Sequence, residues 1–160
     1  MALNDIHIDA TPERVFAVLA DWRAYGHWVV GAKYIRGVDP GFPAKGTHFY
    51  PVVGAGPFEL PAETEVLEVE PGRRLVLHAK ASPLGTAINE LVLEPDGQGG
   101  TTVHFREDPG DRLSAFLFTP LTHLLVRGRN EESLRRLKEL AEDRADIGRD
   151  VDLAPEETTG

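Results

Sequence analysis

The chain of 160 residues contains no cysteine, one methionine and two tryptophans. Without cysteine, a disulfide framework, a thiolate zinc site and a cysteine nucleophile are all excluded. The sequence also lacks any run near the roughly 18 apolar residues of a membrane-spanning helix. Its first residues have neither the basic run nor the apolar stretch of a signal peptide. These absences predict a soluble cytoplasmic domain without membrane insertion.

Basic residues are in the minority, with 17 Lys and Arg against 26 Asp and Glu and a formal net charge of −9. A charge of this sign matches nucleic acid and anionic lipid headgroups poorly, so we expect neither as a partner. The acids are concentrated towards the C-terminal end, where large apolar side chains are few. We interpret residues 1–142 as one domain and residues 143–160 as an acidic disordered tail.

The pattern of apolar residues predicts strands, two short helices and one long helix. Thr11-Pro12 and Asp21 are typical helix starts and place two short helices directly after the first strand. Later strands, separated by turns that contain Gly and Pro, are typical of antiparallel neighbours. We predict strands at 6–8, 32–39, 47–53, 63–69, 74–81, 86–94 and 101–107, and a long helix at 120–142. The segment 37–61, rich in Gly and Pro, is otherwise predicted to be a loop, which either gates a cavity or caps the core.

Five short segments in this order resemble one known superfamily. They are Ile8–Phe16, Asp21 with Trp28, Glu68–Leu75, Leu93–Asp96 with Gly100–Val103, and Leu134–Lys138. Over roughly residues 3 to 142, the chain resembles the START-like polyketide cyclase/dehydrase superfamily, also called SRPBCC. The resemblance implies an α+β helix-grip fold: a bent antiparallel sheet of about six or seven strands wrapped around a long C-terminal helix. It also implies an apolar cavity between the sheet and that helix.

Strand alternation predicts which side chains line this cavity, because residues at i and i+2 share a face. The predicted ligand-binding residues are Trp28, Phe49, Glu65, Leu67, Leu77, Asn89, Leu91, Phe105, Glu107, Phe116, Leu117 and Leu121. Among them Glu65, Asn89 and Glu107 are polar. A carboxylate inside an apolar cavity could act as an acid, a base or a hydrogen-bond anchor. The alternative is that each carboxylate lies hydrated at a strand end.

The sequence contains no motif for a metal site, a serine nucleophile or a phosphate-binding loop. The six histidines have no metal-ligand spacing, no serine has a nucleophile-elbow context, and the glycine-rich segment 97–100 precedes a strand rather than a helix. We therefore expect no metal and no cofactor, and we assign no catalytic residue.

Three functions remain open, because a fold does not determine a function. The first is binding of a small hydrophobic molecule, lipid-like or polyketide-like and aromatic, by a monomer or a homodimer. The second is a polyketide aromatase/cyclase-type enzyme, which needs two titratable groups in the cavity, with Glu65 and Glu107 as the candidates. The third is a protein-interaction module, which would have a filled core.

Overall fold

The computed structural model describes residues 2–83, 85–112 and 120–152, with the backbone alone for 120–123 and 144–152. Its strands are β1 (Ala2–Ile8), β2 (Ala32–Val38), β3 (His48–Ala55), β4 (Phe58–Pro61), β5 (Glu63–Glu70), β6 (Arg74–Ala81), β7 (Gly85–Pro95) and β8 (Thr101–Pro109). Its helices are α1 (Pro12–Leu19), a 3₁₀ turn (Trp22–Ala24), α2 (Tyr25–Trp28) and α3 (Pro120–Asp152). The strands form one antiparallel sheet in the order β1-β8-β7-β6-β5-β3-β2, with β4 paired to β3. The predicted α+β helix-grip architecture is confirmed.

The two short helices begin where the sequence predicts. The Thr11 side chain accepts a hydrogen bond from the Arg14 amide at 3.4 Å, which caps α1. The Asp21 carboxylate accepts one from the Arg23 amide at 3.0 Å, which starts the 3₁₀ turn. Tyr25 and Trp28 of α2 are both buried and bring two large rings under the sheet.

The segment predicted as a loop contains a strand that the sequence pattern did not indicate. β4 pairs with β3, from Val52 opposite Pro61 to Ala55 opposite Phe58, so these strands form a tight hairpin. Gly54 makes this possible: its φ is +153°, and a Cβ there would lie 2.0 Å from the Phe58 carbonyl oxygen. Phe42, earlier in the segment, packs edge-on against Phe49 at a ring-centroid distance of 5.3 Å. This part of the segment therefore caps the core.

Helix α3 lies against β1, and hydrogen bonds along its length hold it there. The Asn4 side chain donates to the Arg127 carbonyl, Lys138 Nζ donates to the His7 carbonyl, and the Asp9 amide donates to Glu142 Oε1 at 2.9 Å. The helix continues to Asp152, ten residues beyond its predicted end at Glu142. No proline interrupts the sequence between Pro120 and Pro155, so the backbone can remain helical there.

The core lies between the middle of α3, helix α1 and the strands β7 and β8. Leu134, Leu137 and Ala141 of α3 are buried against the same cluster as Val15 and Leu19 of α1. Within the described ranges, no helix is long and apolar enough to cross a membrane. The space between the sheet and residues 126–133 of α3 forms the site.

Candidate binding cavity

A cavity of about 490 Å³ lies between the concave face of the sheet and α3. The sheet provides its walls from β3, β5, β6, β7 and β8, and the segment from Tyr25 to Ala32 provides another wall. From α3 it is lined by Val126, Arg129, Asn130 and Ser133. The volume is within the usual range for small-molecule sites, roughly 300 to 1,000 Å³.

The sheet side of the cavity follows from the strand register. Leu77, Asn89 and Glu107 are paired across β6, β7 and β8, so their side chains form one row. Two residues further along β7, Leu91 pairs with Phe105 and continues the lining. Because neighbouring residues on a strand alternate between faces, the residues between these point to the other side of the sheet.

Aromatic rings close the end of the cavity next to α2. Tyr25 contacts Trp28 and Phe49, with ring-centroid distances of 5.2 Å and 4.5 Å. The Tyr25 hydroxyl donates to the Leu19 carbonyl at 3.1 Å, and burial raises the pKa of this hydroxyl well above its ordinary value. Tyr25 is thus a neutral, fixed part of the wall.

A polar cluster forms another part of the wall, where β8 faces α3. Arg129 Nη2 donates to both carboxylate oxygens of Glu107, at 2.6 Å and 2.5 Å, and Asn130 Nδ2 donates to Glu107 Oε2 at 3.1 Å. Glu107 is buried and Arg129 is partly exposed. A buried carboxylate needs such partners, because it would otherwise lose its hydration without compensation. Further along α3, Ser133 Oγ accepts a hydrogen bond from the Val30 amide at 3.0 Å.

Two polar atoms of the wall are buried without a hydrogen-bond partner among the described residues. One is the indole nitrogen Trp28 Nε1, a donor, and the other is the amide oxygen Asn89 Oδ1, an acceptor. Buried polar groups in proteins nearly always have a partner.

Seven of the twelve residues predicted from the sequence line the cavity. They are Trp28, Phe49, Leu77, Asn89, Leu91, Phe105 and Glu107. Their role in ligand binding stays a prediction. Phe116 and Leu117 lie outside the described residues, as does the side chain of Leu121.

The prediction was wrong for Glu65 and Leu67, which do not line the cavity. The register of β5 and β6 shifts between Val66–Leu77 and Glu68–Val76, so Leu67 is the extra residue of a β-bulge. Before the bulge Thr64 and Val66 point inward, and after it Val69 packs against the core. Glu65 lies on the outer face, where its carboxylate is 3.9 Å from His48 Nε2.

The outer face also holds a cluster around His48. Its Nδ1 lies 3.0 Å from Asp39 Oδ2, and this hydrogen bond lowers the pKa of the Asp39 carboxyl. Glu63 Oε1 is 3.3 Å from His48 Nε2. Within the part of the chain that the structure describes, no three His, Asp or Glu residues are placed to hold a metal ion.

The sequence interpretation missed the α3 residues of the site. The apolar residues Leu124 and Leu125 of α3 are both largely exposed and do not mark its inner face. Counting back from Leu137 in steps of four and three reaches Ser133 and Asn130, which are buried. Helical spacing could therefore have found them, but their polarity concealed the inner face of the helix.

A bent sheet that encloses a largely apolar cavity with one long helix defines a helix-grip protein of the ligand-binding class. A family model described as polyketide cyclase/dehydrase and lipid transport matches residues 4–142. The chain belongs to this family, whose fold binds hydrophobic ligands.

Solved structures show the same fold at low sequence identity. A Chromobacterium violaceum protein is 20% identical, with 88% of this chain and 96% of that chain covered and a TM-score of 0.61. A Staphylococcus aureus protein of unknown function is 13% identical, with coverages of 91% and 96% and a TM-score of 0.69. DynU16, from the dynemicin biosynthetic locus, is 17% identical, with coverages of 88% and 46% and a TM-score of 0.63. No curated protein sequence matches this chain significantly.

Proposed function

We propose that this protein binds a small, largely apolar molecule in the cavity between its sheet and α3. The observation that carries the proposal is a cavity of about 490 Å³ with mostly apolar walls and few polar groups. Burial of apolar ligand surface against such walls supplies the affinity, and the few polar groups set the orientation.

The two alternative functions have less support. An aromatase/cyclase using a carboxylate pair requires Glu65 and Glu107 on the same side, and Glu65 lies on the outer face. Glu107 itself is held by Arg129 and Asn130, an arrangement that suits an anchor. An interaction module would fill its interior with side chains, which the cavity contradicts.

The proposal is tested by a substitution that places a larger side chain in the cavity. Ala87 lines the cavity on β7, whereas its neighbour Ile88 has the opposite orientation and is not part of the lining. We expect Ala87→Phe to weaken binding of the neutral dye Nile red at least about tenfold, because the ring occupies ligand space. Ile88→Phe is the matched control and should bind within about twofold of the wild type.

Equal affinity in Ala87→Phe and Ile88→Phe would place the dye outside the cavity and refute the proposal. Melting curves of both variants show whether each is folded. Native mass spectrometry of protein purified from its own host then identifies the natural ligand by its retained mass.

A further inference from the structure

Several polar groups of the cavity wall already have hydrogen-bond partners within the protein. Both carboxylate oxygens of Glu107 accept from Arg129, and one of them also accepts from Asn130. The Tyr25 hydroxyl donates to the Leu19 carbonyl. Because these groups are paired in the free protein, a ligand gains little by bonding to them.

The amide nitrogen of Asn89 has no such partner. The Asn89 side chain makes no hydrogen bond among the described residues. In that part of the chain, the polar side-chain atoms that are both fully buried and unpaired are Asn4 Oδ1, Trp28 Nε1, His78 Nε2 and Asn89 Oδ1. Asn89 Nδ2 is unpaired but does not belong to this set, so it retains accessible surface.

The accessible surface of Asn89 faces the cavity. Asn89 lines the cavity from β7, in the row between Leu77 of β6 and Glu107 of β8. Both neighbours in this row are buried, and so is Leu91, two residues further along β7. Asn89 itself is partly exposed. The open space beside it is therefore the cavity.

From these observations we propose that Asn89 Nδ2 is a hydrogen-bond donor to the ligand and that the ligand is an apolar molecule with a carbonyl oxygen. An amide nitrogen can donate but cannot accept, so its partner must supply an acceptor. An apolar ligand without an acceptor would displace water from Nδ2 and leave it unpaired, which is unfavourable. A carbonyl group supplies the acceptor and has no donor that would need a further partner. This inference rests on the proposed function and specifies its ligand.

Thr64 is the competing polar residue of the wall. It lines the cavity from β5, and its hydroxyl has no partner among the described residues. Thr64 is only 5% exposed, whereas Asn89 is partly exposed and presents more surface to a ligand. Thr64→Val removes the hydroxyl, so this variant shows whether Thr64 rather than Asn89 holds the carbonyl.

Matched naphthalene derivatives test the contact by equilibrium dialysis. The main pair is 2-acetonaphthone and 2-isopropenylnaphthalene, which have similar shapes and differ in the carbonyl oxygen. The third probe, 1-(2-naphthyl)ethanol, has a hydroxyl group that can both donate and accept. The affinity of each oxygen-containing probe is divided by that of 2-isopropenylnaphthalene. These ratios are compared between the wild type and a variant, so that the different hydration of the probes cancels.

We expect Asn89→Leu to reduce the 2-acetonaphthone ratio about 3- to 10-fold, because the variant keeps a side chain of similar size but loses the donor. Thr64→Val should keep this ratio within about twofold of the wild type. Leu77→Met is the matched control in the same row and should also keep it within about twofold. Each ratio is measured on one protein sample, so a partly unfolded variant does not alter it.

Two outcomes would overturn the assignment of Asn89 Nδ2. A lower 2-acetonaphthone ratio in Thr64→Val but not in Asn89→Leu would move the contact to Thr64. If Asn89→Leu lowers the 1-(2-naphthyl)ethanol ratio alone, Asn89 presents an acceptor to the ligand and the carbonyl proposal is wrong.

The remaining outcomes separate this inference from the proposed function. If the naphthalenes bind and Ala87→Phe blocks them, but every ratio is unchanged in the variants, the polar contact is wrong while the binding function stands. If none of the probes binds to the wild type, the cavity site and the inference both fail.

Discussion

Glu107 is a buried carboxylate whose charge is paired with that of Arg129. Its carboxylate is buried in the cavity wall, and its partner Arg129 reaches it from the partly exposed surface of α3. Breaking such a pair by removing one partner is costly when the remaining charge is buried. The two members of this pair are therefore not equivalent.

Replacing Arg129 tests this asymmetry. We expect Arg129→Met to lower the free energy of unfolding by about 1–3 kcal/mol, because it leaves the buried carboxylate with Asn130 alone. Arg127→Met is the matched control on an exposed position of the same helix and should change it by less than about 0.5 kcal/mol. Urea denaturation measures both. Equal effects of the two variants would show that the ion pair contributes no stability.

His104 links stability to pH. On the outer face its Nε2 lies 2.8 Å from Glu94 Oε2 and its Nδ1 lies 2.8 Å from Asp5 Oδ1. These hydrogen bonds, first that to Glu94 and then that to Asp5, raise the pKa of His104 above its ordinary value of 6.5. The folded state thus binds the proton more tightly than the unfolded state does.

The stabilisation from His104 is therefore complete below pH 6.5 and is lost as the pH rises through the raised pKa. We expect His104→Asn to destabilise the protein at about pH 6 and to have a smaller effect at about pH 9. Unfolding free energies of the wild type and the variant at both pH values test this. A difference that does not depend on pH would show that His104 does not titrate in this range.

At the scale of elements, β5 and α3 determine which side chains reach the cavity. The bulge at Leu67 reverses the face of β5, so Thr64 rather than Glu65 faces inward. In α3 the inner stripe passes through Asn130 and Ser133, while Gly128 lies on the exposed side. Among the described residues, no heavy atom outside the backbone of α3 would lie within 4 Å of a Cβ at Gly128.

Gly128→Ala should therefore stabilise the protein by about 0.5–1 kcal/mol, because alanine loses less backbone entropy than glycine when a helix forms. Gly54→Ala is the matching substitution at a strained position. Its Cβ would clash with the Phe58 carbonyl, and we expect a loss of more than about 1 kcal/mol. Thermal and urea unfolding of both variants provide the comparison. Destabilisation by Gly128→Ala would contradict the open environment of this position.

At the scale of the whole molecule, Ala141 and Glu142 make the last packed contacts of α3 among the side chains that the structure describes. Ala141 belongs to the hydrophobic core, and Glu142 accepts from the Asp9 amide. The residues that follow are rich in acids. We propose that residues 143–160 are an acidic tail that ligand binding does not need.

A chain that ends at Asp143 should keep its unfolding free energy within about 1 kcal/mol and its Nile red affinity within about twofold. The reason is that every core and cavity residue that the structure describes precedes Asp143. Limited proteolysis of the full chain should cleave first within residues 143–160. Loss of dye binding on truncation would instead assign the tail a part in the site.

The sequence alone determined the order and type of most elements of this protein. Local signals, such as the Thr11-Pro12 helix start and the alternation in β7 and β8, depend on neighbouring residues only and need no tertiary context. They were sufficient to place Asn89 and Glu107 in one inward-facing row.

Only the tertiary structure decided what faces the cavity elsewhere. One extra residue at Leu67 reverses the face of every earlier residue in β5, and alternation cannot reveal where a bulge lies. The partners of Glu107 come from a helix 22 and 23 residues further along the chain. Such contacts depend on how α3 packs across the sheet, which no local pattern records.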